Sequence, residues 1–301
     1  MNRQFKINFI VHSPFPDYIS HIGGVAVAHV LANELKKTGE NVYMYANTTD
    51  PRYDIPCIPH GTELDFNVEN TIVIIIAGAG EHLFEHTIPE KLIKSNVVRW
   101  LVHDQQRYYD QTEKLYMHNP CWTIMPGQHI DGHLCVFEIE DDIFMNNGLE
   151  RSGTCYLVKG HLDTNPERAI HTTNDYCIDN ILYRIPNLER RKFLAELFNT
   201  KEYFISYSSI TFTSLLAAMC GCKSIIIPKN TEFNKEKWLN SSWTTKYGIA
   251  YGLDDLPRAI DTMDKVMTNV QNFKYNVMPQ QINKFIDDCY DWLTLKYNIT
   301  S

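Results

Sequence analysis

Residues Thr71 to Ala77 read TIVIIIA, seven positions with no charge and no alternation of polar with apolar. A strand of this kind has to be covered on both faces, and strands covered on both faces belong to parallel sheets flanked by helices. The neighbouring sequence agrees. Phe5 to Val11 (FKINFIV), Asn41 to Ala46 (NVYMYA) and Val97 to Val102 (VVRWLV) are further strand runs. Between the first two, Val27, Val30, Leu31 and Leu35 recur at helical spacing after Gly23-Gly24 and stop at Gly39. Strands alternating with helices predict an α/β fold with parallel pairing.

The same grammar restarts in the second half. Thr154 to Val158, Ile181 to Ile185, Tyr203 to Tyr207 and Ser224 to Ile227 are strand runs, separated by helical patterns around Arg190 to Leu197 and Thr211 to Cys220. Two doubly wound, Rossmann-like units are therefore expected, joined by the polar stretch Ile139 to Ser152 with its Asn-Asn-Gly turn. We place the first domain at 1–148 and the second at 149–280. A last helix, 281–301, carries Ile282, Phe285, Ile286, Cys289, Trp292 and Leu293 on one face and is expected to pack back towards the first domain.

A length of 301 residues with 44% apolar residues is ample for two cores, and the net charge of −8 with no basic run argues against nucleic acid or an anionic membrane as partner. The first sixteen residues hold an apolar run of about five, too short for a secretion signal or a membrane span. A soluble, cytoplasmic protein is expected, with peripheral membrane contact at most. The eight cysteines are scattered and read as reduced core residues.

In open parallel sheets, ligands bind beyond the carboxyl ends of the strands. Two loops stand there. His12 to Gly24 is long and ends in Gly23-Gly24 at a helix start, where backbone amides are open to an anion or a sugar oxygen. Tyr207 to Gly221 leaves a strand through Tyr207, Ser208 and Ser209, with Thr211 as the expected helix cap and Thr213 in the first turn. Hydroxyls and unpaired amides with no acid among them make a cradle for a diphosphate, and Lys159, just after a strand, is expected on the same rim.

In order and spacing, GGVAVAHVLANELKKTGENVYMYA, VHD at Val102 to Asp104, IEDDIF, Arg151 with CYLVKG, YFISYSSITFTSLLAAMCGCKSIIIP and YGIAYGLDDLPRAI resemble the GT-B fold glycosyltransferases. The likeness is to family four and to related bacterial and viral sugar transferases that build surface glycans. It implies an acceptor-binding first domain, a second domain holding a nucleotide-sugar donor, an oligosaccharide or glycoconjugate acceptor, and catalysis without a resident cofactor or metal. His103 matches the histidine of the family's cleft strand, and Arg151 and Lys159 fall near its basic diphosphate ligands. The family's paired glutamates fall on Ser208 and Leu216, so neither carboxylate is present.

An inverting transfer needs a side chain that takes the acceptor proton, and Asp17, His21, His103 and Asp104 are the titratable residues expected nearest. We favour Asp17 as base and His103 as a sugar-positioning residue; a retaining enzyme could use the leaving phosphate instead. Other readings fit less. The strand TIVIIIA runs into Gly78-Ala79-Gly80, but a dinucleotide fingerprint needs a glycine where Leu83 stands. His82 to His86 matches a zinc-protease spacing yet follows a strand, with no third ligand on a downstream helix. The missing glutamates also fit a non-catalytic protein that only binds glycan or nucleotide.

Overall fold

The computed structural model describes residues 5–13, 15, 17–18, 23–62, 65–77, 90, 96–103, 107–120, 122, 124–158, 169–179, 181, 187–209, 211–228 and 234–299. Lys159, His21, Asp104, Gly78 to Gly80 and His82 to His86 lie outside them. The chain divides into two compact units, one made of residues 1–138 and 276–301 and the other of 139–275.

In the first unit, β1 (Asn8–His12) is followed by α1 (Gly23–Lys37), β2 (Asn41–Tyr45), β3 (Cys57–Ile58), β4 (Thr71–Ala77), β5 (Val97–Leu101), β6 (Lys114–Met117) and β7 (Gly132–His133). They form one parallel sheet in the order β3-β2-β1-β4-β5-β6-β7. TIVIIIA is β4, and all seven of its residues are buried, as a strand without a polar face requires. The sheet reverses direction between β1 and β4, where Asn8 is level with both Asn41 and Thr71.

Two polar side chains enter this core with their partners. Arg99 on β5 is buried and donates to the Glu113 carboxylate through two bonds of 2.9 and 2.8 Å. His118, one residue beyond β6, is buried beside the edge of Trp100, 5.4 Å between ring centres, and its Nδ1 accepts the Val136 N–H at 3.4 Å.

The second unit contains β8 (Thr154–Leu157), β9 (Tyr176–Cys177), α2 (Asn187–Thr200), β10 (Tyr203–Ser206), α3 (Phe212–Met219), β11 (Lys223–Ile226), α4 (Lys235–Ser241), β12 (Ile249–Tyr251), α5 (Leu256–Asp261) and α6 (Lys265–Asn272). Its parallel sheet runs β12-β11-β10-β8-β9 and reverses between β8 and β10. The run expected as a strand at Ile181 to Ile185 differs: the strand beside β8 is Tyr176–Cys177, Ile181 is helical and buried, and 182–186 lie outside the described residues. A short apolar run satisfies a buried helical turn as well as a strand.

A π-helical turn (Phe273–Val277) leads into α7 (Met278–Tyr297), which belongs to the first unit. Its face of Ile282, Phe285, Ile286, Cys289 and Leu293 is buried. Phe285 lies 5.9 Å from Phe9 and meets Tyr116 edge-on at 4.8 Å, and the Tyr290 hydroxyl is 2.9 Å from both Phe5 O and a Glu40 carboxylate oxygen. Five of the described cysteines are buried free thiols, whereas Cys57 is exposed and Cys177 half-buried. No helix among the described residues is long and apolar enough to cross a membrane.

Candidate functional site

The reversal between β8 and β10 marks the crevice where a parallel sheet accepts a ligand. β10 ends at Ser206, whose hydroxyl donates to Ser208 O at 3.0 Å and accepts the Ser208 N–H at 3.2 Å, turning the chain away from the sheet. Thr211 caps α3 as expected: its backbone is extended and its Oγ1 accepts the Thr213 N–H at 3.3 Å. Ser209 is buried and its carbonyl accepts the Trp238 indole N–H at 2.8 Å, so the turn is braced from beneath by α4. Ser208, Thr211 and Thr213 are half-buried on this rim.

Tyr207 has a different place from that of an open rim hydroxyl. It is wholly buried, and its Oη accepts the backbone N–H groups of Ile170 and His171 at 2.8 and 3.2 Å and lies 2.8 Å from His171 Nδ1. The His171 ring stacks on Tyr156 of β8, 3.7 Å between centres and 15° from parallel. Asp179, just past β9, accepts the Val158 N–H at 2.8 Å and the Cys177 thiol at 3.3 Å. The tyrosine thus ties the segment before β9 to the end of β10. Nothing in the sequence marked His171, because its partners lie 15 and 36 residues away.

Arg151, expected near the diphosphate, lies elsewhere. It precedes β8 and stands at the amino end of the sheet, opposite the rim just described, where its guanidinium donates to Phe198 O, Lys201 O and Cys220 O at the ends of α2 and α3, and to Asn146 Oδ1 at 2.8 Å. These are the carbonyls a helix leaves unpaired at its last turn, so Arg151 is a cap for two helices rather than a phosphate ligand. Gly221 has a φ of +80° and a side chain there would strike Asn146 and Arg151, which is why glycine stands beside the guanidinium. Arg151→Ala is expected to cost about 2–3 kcal/mol of stability in urea unfolding and to leave nucleotide affinity unchanged by calorimetry.

In the first unit the reversal lies between β1 and β4. At the end of β1, His12 stacks on His60 (5.5 Å, 5°), which stacks on Tyr45 at the end of β2 (4.9 Å, 23°). His60 Nε2 is 3.0 Å from Tyr45 O and so carries a proton towards it. Burial lowers the His60 pKa, against that bond and against the nearby Asp17 carboxylate, which both favour the charged form.

Asp17 itself is exposed, and its neighbour Tyr18 is held on three sides. The Tyr18 N–H donates to Thr48 Oγ1 at 2.8 Å, its ring meets His29 edge-on at 4.8 Å, and its hydroxyl receives Arg52 at 3.4 Å. Arg52 is paired with Asp50 and Glu138. Burial pushes the Asp50 carboxyl up, but the bonds from Arg52 and Tyr18 together outweigh it and hold the carboxyl below its ordinary range.

α1 begins at Gly23, with open space beside it, and Gly24 faces Val102 at 3.8 Å. His103 is exposed and stacks on Trp122 at 5.5 Å and 14°. Asp17 and His103 thus both belong to the first unit, whereas Ser208, Ser209, Thr211 and Thr213 belong to the second. Among the described residues no group of three His, Cys, Asp or Glu is placed to hold a metal ion.

No family model matches the chain. No curated protein matches it in sequence. Among solved structures, a glycosyltransferase from Rickettsia africae ESF-5 aligns over 96% of this chain and 98% of its own at 12% identity, with a TM-score of 0.55. T4 phage β-glucosyltransferase aligns over 97% and 99% at 11% identity, with a TM-score of 0.42. With two parallel α/β sheets of seven and five strands, and the full-length match to the rickettsial structure, the chain has the GT-B fold.

Proposed function

We propose that the chain is a glycosyltransferase, akin to family four and related transferases, that moves a sugar from a nucleotide diphosphate donor to a hydroxyl of a glycan in surface-glycan synthesis. The observation that carries this reading is the rim of the second unit: a sheet reversal, a turn of hydroxyls and a capped helix start come together there without a carboxylate among Tyr207 to Thr213. Such a rim offers hydrogen bonds and a favourable dipole to an anion. The second unit is then the donor unit, with Ser208, Ser209, Thr211, Thr213 and Lys159 around the diphosphate or ribose, and the first unit takes the acceptor.

Chemistry in this reading is a substitution at the anomeric carbon. The acceptor oxygen forms the new glycosidic bond as the bond to the nucleotide diphosphate breaks, and the acceptor's proton passes to Asp17 in an inverting transfer. His103, exposed on its aromatic shelf, orients sugar hydroxyls. Charge on the leaving diphosphate is met by backbone amides, hydroxyls and Lys159, with no metal and no resident cofactor required.

A thermal-shift panel of nucleoside diphosphates tests the reading. A ligand at a hundred times its Kd adds about 2.7 kcal/mol to the folded state, so at least one should raise Tm clearly; a flat panel refutes a donor site. Transfer should also persist in EDTA, and loss of turnover with rescue by manganese would replace the metal-free scheme with a metal-bridged donor. Nucleotide binding without transfer to any glycan would leave a binding protein rather than an enzyme.

A further inference from the structure

We propose that His171 binds the donor directly, its Nε2–H donating a hydrogen bond to a diphosphate oxygen, with Tyr207 as the residue that sets its proton and its position. This rests on the donor-site reading of the second unit.

The valence of one oxygen fixes the tautomer of this ring. A phenolic hydroxyl has two lone pairs and one proton. Two backbone N–H groups, those of Ile170 and His171, point at Tyr207 Oη from 2.8 and 3.2 Å, and an amide can only donate. They occupy the lone pairs. The third close neighbour, His171 Nδ1 at 2.8 Å, therefore receives the hydroxyl proton and acts as acceptor. An imidazole that accepts at Nδ1 carries its own proton at Nε2.

The ring is also fixed in orientation. Stacking on Tyr156 at 3.7 Å sets its plane, and the Tyr207 bond sets its rotation within that plane. Tyr156 lies on β8 and Tyr207 just past β10, the two strands between which the sheet reverses, so the imidazole is held from both sides of the ligand crevice. Among the described residues no protein atom accepts from Nε2, and the side chain is half-buried. A preset N–H donor with no acceptor among the described residues is suited to a ligand oxygen.

The surrounding charges select an anion. Asp175 and Asp179, the carboxylates among residues 169–179, accept the backbone N–H groups of Thr172 and Val158 at 2.6 and 2.8 Å. On the other side of the crevice stand the Ser208 to Thr213 turn and the start of α3, which favour negative charge.

Calorimetry of the full chain with UDP and dTDP, and with uridine and thymidine as phosphate-free controls, tests this role. His171→Ala should weaken binding of the diphosphate that the wild type takes by about ten- to a hundredfold, the value of a bond to a charged acceptor, and leave nucleoside binding unchanged. His171→Gln, whose amide N–H can take the place of Nε2–H, should recover most of the affinity.

Nitrogen NMR of the free wild type should show His171 protonated at Nε2 and bare at Nδ1, and Tyr207→Phe should abolish that single tautomer. Equal diphosphate affinity in wild type and a folded His171→Ala, or an Nδ1-protonated ring, overturns the proposal while the donor site stands. A wild type that binds no nucleoside diphosphate by calorimetry or in the thermal-shift panel, with the Nε2 tautomer intact, overturns the donor-site reading instead and removes the ligand proposed for His171.

Discussion

Asp17→Asn is expected to slow single-turnover sugar transfer by about 10²–10⁴-fold, the contribution of a positioned general base, with nucleotide binding as in the wild type. The carboxylate is exposed at the carboxyl end of the first sheet, and the residue after it is fixed by Thr48, Arg52 and His29. An unrestrained loop carboxylate would spend little time in a reactive pose; this one is attached to an anchor. Asparagine keeps the shape and removes the basicity. The companion measurement is the anomeric configuration of the product by NMR. An inverted product made at near-normal rate by the variant would exclude Asp17 and leave His21 or Asp104 as base, and a retained product would assign the proton to the leaving phosphate.

The second large effect concerns stability in acid. Burial pushes the His118 pKa down to about 4, from an ordinary value of 6.5, against a bond at Leu134 that works the other way. Above pH 6.5 the ring is neutral in both states and the group costs nothing. As pH falls from 6.5 to 4 the unfolded chain takes up a proton that the folded chain refuses, so stability drops by about 3 kcal/mol over that window from this side chain alone.

Urea unfolding at a series of pH values reads the slope. His118→Asn keeps an acceptor for the Val136 N–H and has no proton to gain, so its stability should fall less between pH 6.5 and 4 than that of the wild type. Parallel slopes for the two proteins would show that the ring is not kept neutral.

How legible these features were in the sequence depended on how local their causes are. TIVIIIA announces a central strand because every residue in it is apolar, and Thr211 announces a cap because the residue that bonds it is two positions away. The strands β6 and β7 escaped notice. KLYM opens with a lysine paired to Asp131, and Gly132–His133 is two residues long, so neither carries a strand pattern of its own; β6 is recruited by β5, and β7 in turn by β6.

Arg151 misled for a related reason. A basic residue three positions before a strand looks like a ligand of the sheet, yet its side chain is consumed by carbonyls around residues 198–201 and 220, which are brought together only by folding. The sites themselves are less legible still. Asp17 acquires its setting from Thr48, His29 and Arg52, which hold the next residue, and His171 is oriented by Tyr207, 36 residues on.

The way the chain divides has a consequence for its biosynthesis. The second unit is one continuous stretch, 139–275, whereas the first is completed only by α7, whose Phe285 closes over Phe9 and whose Tyr290 reaches Phe5 and Glu40. Domains generally fold as units while the ribosome is still working. The unit that emerges first is therefore the one that must wait, holding Phe9 without its cover until residue 285 has been added, while the later unit already has its whole sequence in hand. In this protein the order of synthesis and the order of completion are reversed.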